Sequence, residues 1–170
     1  LRADIRRNLE REIRFRVDAR NKQAVMDALV EKAELDLPKA SVQAELERMT
    51  ASMRADLKAR GIKDADQAPI PDEMFRPQAE RRVRLGLIVA ELVRSAELQA
   101  TPEQIRSQVE ELAASYEKPA EVVRYYYADN NRLADVEAMV VEKNVTDHVL
   151  SQARVTDKQV EFDELMGQQN

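Results

Sequence analysis

At 170 residues the chain has room for one ordinary domain, which on folding would bury roughly 70% of the surface its unfolded form exposes. Its 44% apolar and 35% charged residues, with only three glycines, four tyrosines, three phenylalanines and no tryptophan, are the composition of a helical protein. The absence of cysteine excludes a disulfide-stapled module, a thiol nucleophile and a thiolate-ligated metal.

The first 33 residues place Ile5, Leu9, Ile13 and Val17 at four-residue steps and continue through Ala24, Val25, Ala28 and Leu29 with charges between, which predicts one long amphipathic helix from Arg2 to Ala33. Leu35-Asp36-Leu37-Pro38 ends it, because the residue before a proline is pushed out of the helical region while proline itself suits a first turn. A second helix is expected from Pro38 to Gly61. On it Val42, Leu46, Met49, Met53 and Leu57 step by four, three, four and four along one face. Gly61 to Pro71 has no period and reads as a loop.

The third helix is expected from near Asp72, with a mild kink if Pro77 falls inside it. The run from Val83 to Val93 is apolar nearly all round, so it is expected to be enclosed by other helices, one of them close to Gly86. Thr101-Pro102-Glu103-Gln104 is a helix start: threonine caps, proline takes the first turn, and glutamine reaches back to the cap. That fourth helix runs to about Tyr116. Pro119 opens a short fifth helix through Tyr127, and Asp129-Asn130-Asn131 breaks it and caps a sixth, about Arg132 to Ala153. In the tail, Thr156 and Gln159 match another capping box, and a short helix and a short strand are both tenable.

Several chemistries lack their residues. Gly61, Gly86 and Gly167 are too scattered for a dinucleotide fingerprint or a phosphate-cradling loop, so no nucleotide cofactor is expected. His148 is the single imidazole, which rules out three-histidine zinc sites and carboxylate-bridged di-metal bundles within one chain, and no metal or other cofactor is expected. Asn144-Val145-Thr146 matches a glycosylation acceptor by chance. Carboxylates interleave with Lys and Arg, the pattern of solvated helix faces, and no acid–base pair stands out. No apolar run approaches the ~18 residues of a membrane span, and no leader pattern opens the chain. It is expected to be soluble and cytoplasmic, and, since it opens on Leu1, part of something longer.

Charge is unevenly spread. Between Arg2 and Lys22 there are eight basic and four acidic residues; from Asp129 onward there are nine acidic and four basic. A basic helix is a candidate RNA contact. Here, however, the arginines alternate with glutamates, and Phe15 is the lone aromatic among them, so a solvated helix whose ends pair with the acidic tail is the favoured reading and nucleic acid is not an expected partner.

Two apolar features are candidates for function: the stripe from Val42 to Leu57, and the region around the fifth helix with Leu112, Tyr116, Val122, Val123 and Tyr125-Tyr126-Tyr127. Consecutive side chains on a helix point roughly 100° apart, so the three tyrosines cannot share one core and at least one ring is expected at the surface. Both features are also readable as helix–helix seams, which on sequence alone is the favoured reading; methionine serves adaptable surfaces and core gaps alike.

Particular strings carry a resemblance: Asn8-Leu9-Glu10-Arg11-Glu12, Asp36-Leu37-Pro38, the run from Ala79 to Leu87 with its Arg-Arg-Val-x-x-Gly-Leu core, Tyr116-Glu117-Lys118-Pro119, and Phe162-Asp163-Glu164-Leu165-Met166. In this order, over essentially the whole chain, they resemble the C-terminal domain of bacterial trigger factors. The resemblance implies an all-α fold, an elongated multi-helix body with two protruding helical arms, forming a single domain over residues 1–170. It implies an ATP-independent chaperone that meets unfolded or nascent polypeptides, with ribosome docking and prolyl isomerisation in domains that this sequence does not match, so that no catalytic residue is expected here. By position, Leu112, Tyr116, Val122 and Tyr125 fall where the family's second arm presents an apolar client patch, and Met49, Met53 and Leu57 fall on the first arm. The Gly61 to Pro71 loop departs from familiar members. A helical self-association module and a ribosome or RNA contact through the first helix are the alternatives.

Overall fold

The computed structural model describes residues 2–167, and all regular structure among them is helical, in agreement with the all-α expectation. The order is α1 (Arg2–Lys32), α2 (Lys39–Ala59), α3 (Arg76–Ser95), α4 (Pro102–Ala113), α5 (Pro119–Tyr127), α6 (Asn130–Gln152) and α7 (Phe162–Leu165), with 3-10 turns at Ala65–Gln67 and Asp72–Met74. Residues 28–91 form one compact unit; residues up to 27 and from 92 onward form another.

Local signals set the helix ends. At Thr101 both halves of the capping box are made: its Oγ1 accepts from the Gln104 amide at 3.2 Å, and its own amide donates to Gln104 Oε1 at 3.0 Å. Asp129 caps α6 by accepting from the Asn131 amide at 2.8 Å. Beyond α2, Gly61 takes φ +76°, its amide donates to Lys58 O, and the Ile62 amide donates to Leu57 O, the paired bonds of a Schellman stop. Past α3 the same reversal is made by Glu97 at φ +54°, with the Leu98 amide donating to Val93 O. Proline 77 is the second residue of α3, where its missing N–H has no helical partner to lose, so the expected kink has no cause.

In the unit of residues 28–91, Val42, Leu46 and Met49 of α2 form a core with Ala79 of α3, flanked by Leu37, Phe75 and Val83. Leu46 and Ala79 are wholly buried. Glu45 is buried beside this core, its carboxylate held by Arg82 Nη1 at 3.0 Å and Arg48 Nη1 at 2.9 Å. Arg84 donates to Ala33 O at 3.2 Å, tying α3 to the end of α1. The loop after α2 folds back on it: Ala65 is buried, Arg54 reaches Ala68 O, and Lys58 pairs with Asp66.

In the other unit, α4, α5 and α6 pack on one another. Val109 and Ala113 of α4 and Val136, Val140 and Val145 of α6 are buried. Asn144 exchanges amide hydrogen bonds with Gln104 at 3.0 and 3.2 Å and donates to Leu98 O at 3.2 Å, so the acceptor-like tripeptide lies inside α6 as a structural pin. Lys22 of α1 pairs with Glu142 of α6 at 2.7 Å, and Arg20 with Glu164 of α7 at 3.1 Å. The basic helix does pair with the acidic tail. Elsewhere on α1 the charges neutralise one another locally, as in Arg16 with Glu12 and Arg6 with Glu10.

Three expectations are corrected. No residue between Val83 and Val93 is buried, and Leu87 is exposed, so the apolar run is not enclosed by the described residues. Gly86 has nothing among the described residues within 4 Å of a notional Cβ, so no close helix among them explains it. The tail takes no capped helix at Thr156; a four-residue helix forms later, at Phe162–Leu165.

Candidate functional site

The two sequence-read features have different fates. On α2 the proximal stripe is a seam: Val42, Leu46 and Met49 are buried, the side chains that α2 and α3 use to hold each other. Ala79 of α3 is wholly buried in the same cluster, and the larger α2 side chains supply most of its volume. As surface contacts these three are therefore withdrawn. Met53 and Leu57, one and two turns further on, are half-buried and keep part of their surface toward solvent.

Around α5 the opposite holds. Pro119 starts the helix in its first turn, and nine residues put Val122, Val123 and Tyr126 half inward and Tyr125 and Tyr127 outward. Tyr116 sits in the turn between α4 and α5 and is 60% exposed; Tyr125 is 55% exposed. Leu112, in the last turn of α4, and Val122 are half-buried beside them in sequence and element. More than half of each of these two tyrosines is thus left in water.

Tyr125 is also held in place. Its ring meets that of Tyr126 edge-on, centroids 5.7 Å apart at 82°. Cζ of Arg132, from the first turn of α6, lies 3.7 Å from the Tyr125 ring centroid, and Arg132 Nη1 donates to the Tyr125 carbonyl at 2.9 Å. Sequence reasoning missed Arg132, since it follows Tyr125 by seven residues across a helix break and no periodicity links them. A further concavity of about 560 Å³, absent from the sequence reading, is lined by Phe15, Met139 and Leu150 among charged residues of α1, α4 and α6. On its rim the Lys143 ammonium is raised above the ordinary lysine value, first by its hydrogen bond to Asp147.

Among the described residues no group of three or more His, Asp or Glu side chains is placed to hold a metal ion, and no helix is long and apolar enough to cross a membrane. The arrangement offers apolar contact area, aromatic edges and hydroxyls, the chemistry of a shallow binding surface.

Comparison with known proteins places the chain in a family. A family model described as "Bacterial trigger factor protein (TF) C-terminus" matches residues 1–151. Proteins named Trigger factor from Polaromonas naphthalenivorans (strain CJ2) and Acidovorax sp. (strain JS42) are 71% and 72% identical over 168 residues, covering 99% of this chain and 38% of each relative. Trigger factor of Variovorax paradoxus (strain S110) is 71% identical over 169 residues, 99% of this chain and 39% of its own length. The chain spans about two fifths of the curated relatives it matches. With a family match over most of its length and relatives this similar, the chain belongs to the bacterial trigger factor C-terminus family, a family of chaperone type.

Proposed function

We propose that this chain captures unfolded or nascent polypeptide segments without nucleotide, through an apolar face of α4 and α5 made by Leu112, Tyr116, Val122 and Tyr125, with Met53 and Leu57 of α2 as a second patch. The observation that carries the reading is the exposure of Tyr116 and Tyr125, 60% and 55%, at and next to two packed helices that also carry the half-buried Leu112 and Val122. A patch of this kind contributes only a few kcal/mol at about 25 cal/mol per Å² after ordering costs. Useful affinity then comes from several such patches engaging one flexible chain, and release follows when the client buries its own apolar segments. Such binding is weak and unselective, which suits a holdase.

Ribosome docking and prolyl isomerisation are assigned, on this reading, to portions of the relatives outside the matched region, and the setting is the cytoplasm. A second reading, self-association, is favoured by the exposed Ile5, Leu9 and Val17, four and then eight residues apart along α1. Light scattering separates the two: a tight dimer with no affinity for an unfolded chain would favour the second.

The direct test is aggregation suppression. The double variant Met53→Glu, Tyr116→Glu is expected to keep its helical circular dichroism and to lose most of its suppression of a chemically denatured protein. Unchanged suppression would refute these positions as contacts.

A further inference from the structure

The proposed client face contains a side chain whose placement calls for its own explanation. An exposed tyrosine on a helix is normally free to exchange rotamers, and a ligand that uses it must first immobilise it, at an entropic cost. Tyr125 is contacted on two sides of its ring. One face of its ring is covered by the Arg132 guanidinium, 3.7 Å from centroid to Cζ, while Tyr126 meets it edge-on. Arg132 is itself fixed at two further points. Its Nη1 donates to the Tyr125 carbonyl at 2.9 Å, and its Nε lies 3.6 Å from Asp129 Oδ2. Asp129 is in turn locked as the cap of α6 through the Asn131 amide. A chain of contacts therefore runs from the start of α6 to the ring. A planar guanidinium suits this position, since it stacks on the aromatic face while donating in its own plane; an ammonium cannot do both.

Resting on the reading of Tyr125 as a client contact, we infer that Arg132 is a positioning residue of that contact: it holds the Tyr125 ring in its binding orientation before a client arrives. The ordering cost is then met on folding instead of on each encounter. Pre-organisation of this kind matters most for a weak site, where a small entropic saving is a large part of the net affinity.

The test is a double-mutant cycle on the full chain, with a permanently unfolded, reduced and carboxymethylated protein as the probe and fluorescence anisotropy as the readout. Arg132→Ala is expected to weaken binding about 3- to 5-fold, Tyr125→Ala by at least as much, and the pair by no more than Tyr125→Ala alone. Arg132→Lys is expected to recover little of the loss, and circular dichroism of every variant to match the parent. A second signature is independent of binding: in NMR spectra the Arg132 side-chain protons are expected upfield, shifted by the Tyr125 ring, and to return to ordinary positions in Tyr125→Ala. Loss on Tyr125→Ala with Arg132→Ala silent would overturn the positioning role and leave the contact reading intact. Additive losses in the cycle would also overturn it, since Arg132 would then act elsewhere. No loss on Tyr125→Ala would overturn the contact reading at this residue and the positioning role with it.

Discussion

Single residues show where the fold tolerates cost and where it does not. Gly86 sits inside α3 with open space around a notional Cβ and an ordinary helical backbone, so Gly86→Ala should stabilise this chain by about 0.5–1 kcal/mol through reduced freedom of the unfolded state, read as a raised thermal midpoint. Glu97 presents the converse case. It occupies the left-handed position after α3 that glycine fills after α2, and the strain of a Cβ there is worth about 1 kcal/mol. Glu97→Gly is therefore expected to raise the midpoint in urea, and a fall would mean that the carboxylate makes a compensating contact. Glu45 is the costly side chain: its carboxylate is buried while its partners reach outward, Arg48 with 75% of its side chain exposed. Glu45→Gln should destabilise by about 1–2 kcal/mol, because charge-assisted bonds at a buried group are lost. Arg48→Ala should cost under about 0.5 kcal/mol, since the arginine is solvated and Arg82 remains.

Among the elements, helix ends were the most legible part of the sequence, because the groups that make them lie within four residues of one another. Thr101 with Gln104, Asp129 with Asn131, and Gly61 after α2 do what their types and spacing predict. Thr101→Ala should cost about 1 kcal/mol, checked by urea denaturation. Asn144→Ala should cost at least as much, because Asn144 pins the same cap and the Leu98 carbonyl from a neighbouring helix. Nothing in the sequence marks Asn144 for that task; its partners are forty residues and more away. The α2 stripe has the same limit. Period alone places Val42, Leu46, Met49, Met53 and Leu57 on one face, but which turns of that face are covered depends on Ala79 arriving from α3. The tyrosine triplet was the exception: three rings at 100° steps exceed one core on geometry alone, and Tyr125 and Tyr127 are exposed.

For the molecule as a whole, the family strings placed the chain where motif chemistry could not, since the sequence offers no glycine-rich nucleotide motif or metal-ligand motif to read. Part of their content is structural. Arg82 and Arg84 of the Arg-Arg-Val-x-x-Gly-Leu run hold Glu45 and the Ala33 carbonyl. Such runs identify a fold through its internal bonds, while the proposed binding face is built from residue types that many cores share. Its separation from the seam rests on exposure, which only the packed chain reveals. The central claim is that unfolded polypeptide is met by the α4–α5 tyrosine face and the outer turns of α2, and not by the α2–α3 seam. It is tested most directly by NMR titration of the isotope-labelled chain with a permanently unfolded protein. The account predicts shift changes concentrated at Tyr116, Tyr125, Leu112, Val122, Met53 and Leu57, with Val42, Leu46 and Ala79 unmoved. Changes confined to the seam, or spread along α1 with the tyrosines silent, would contradict it.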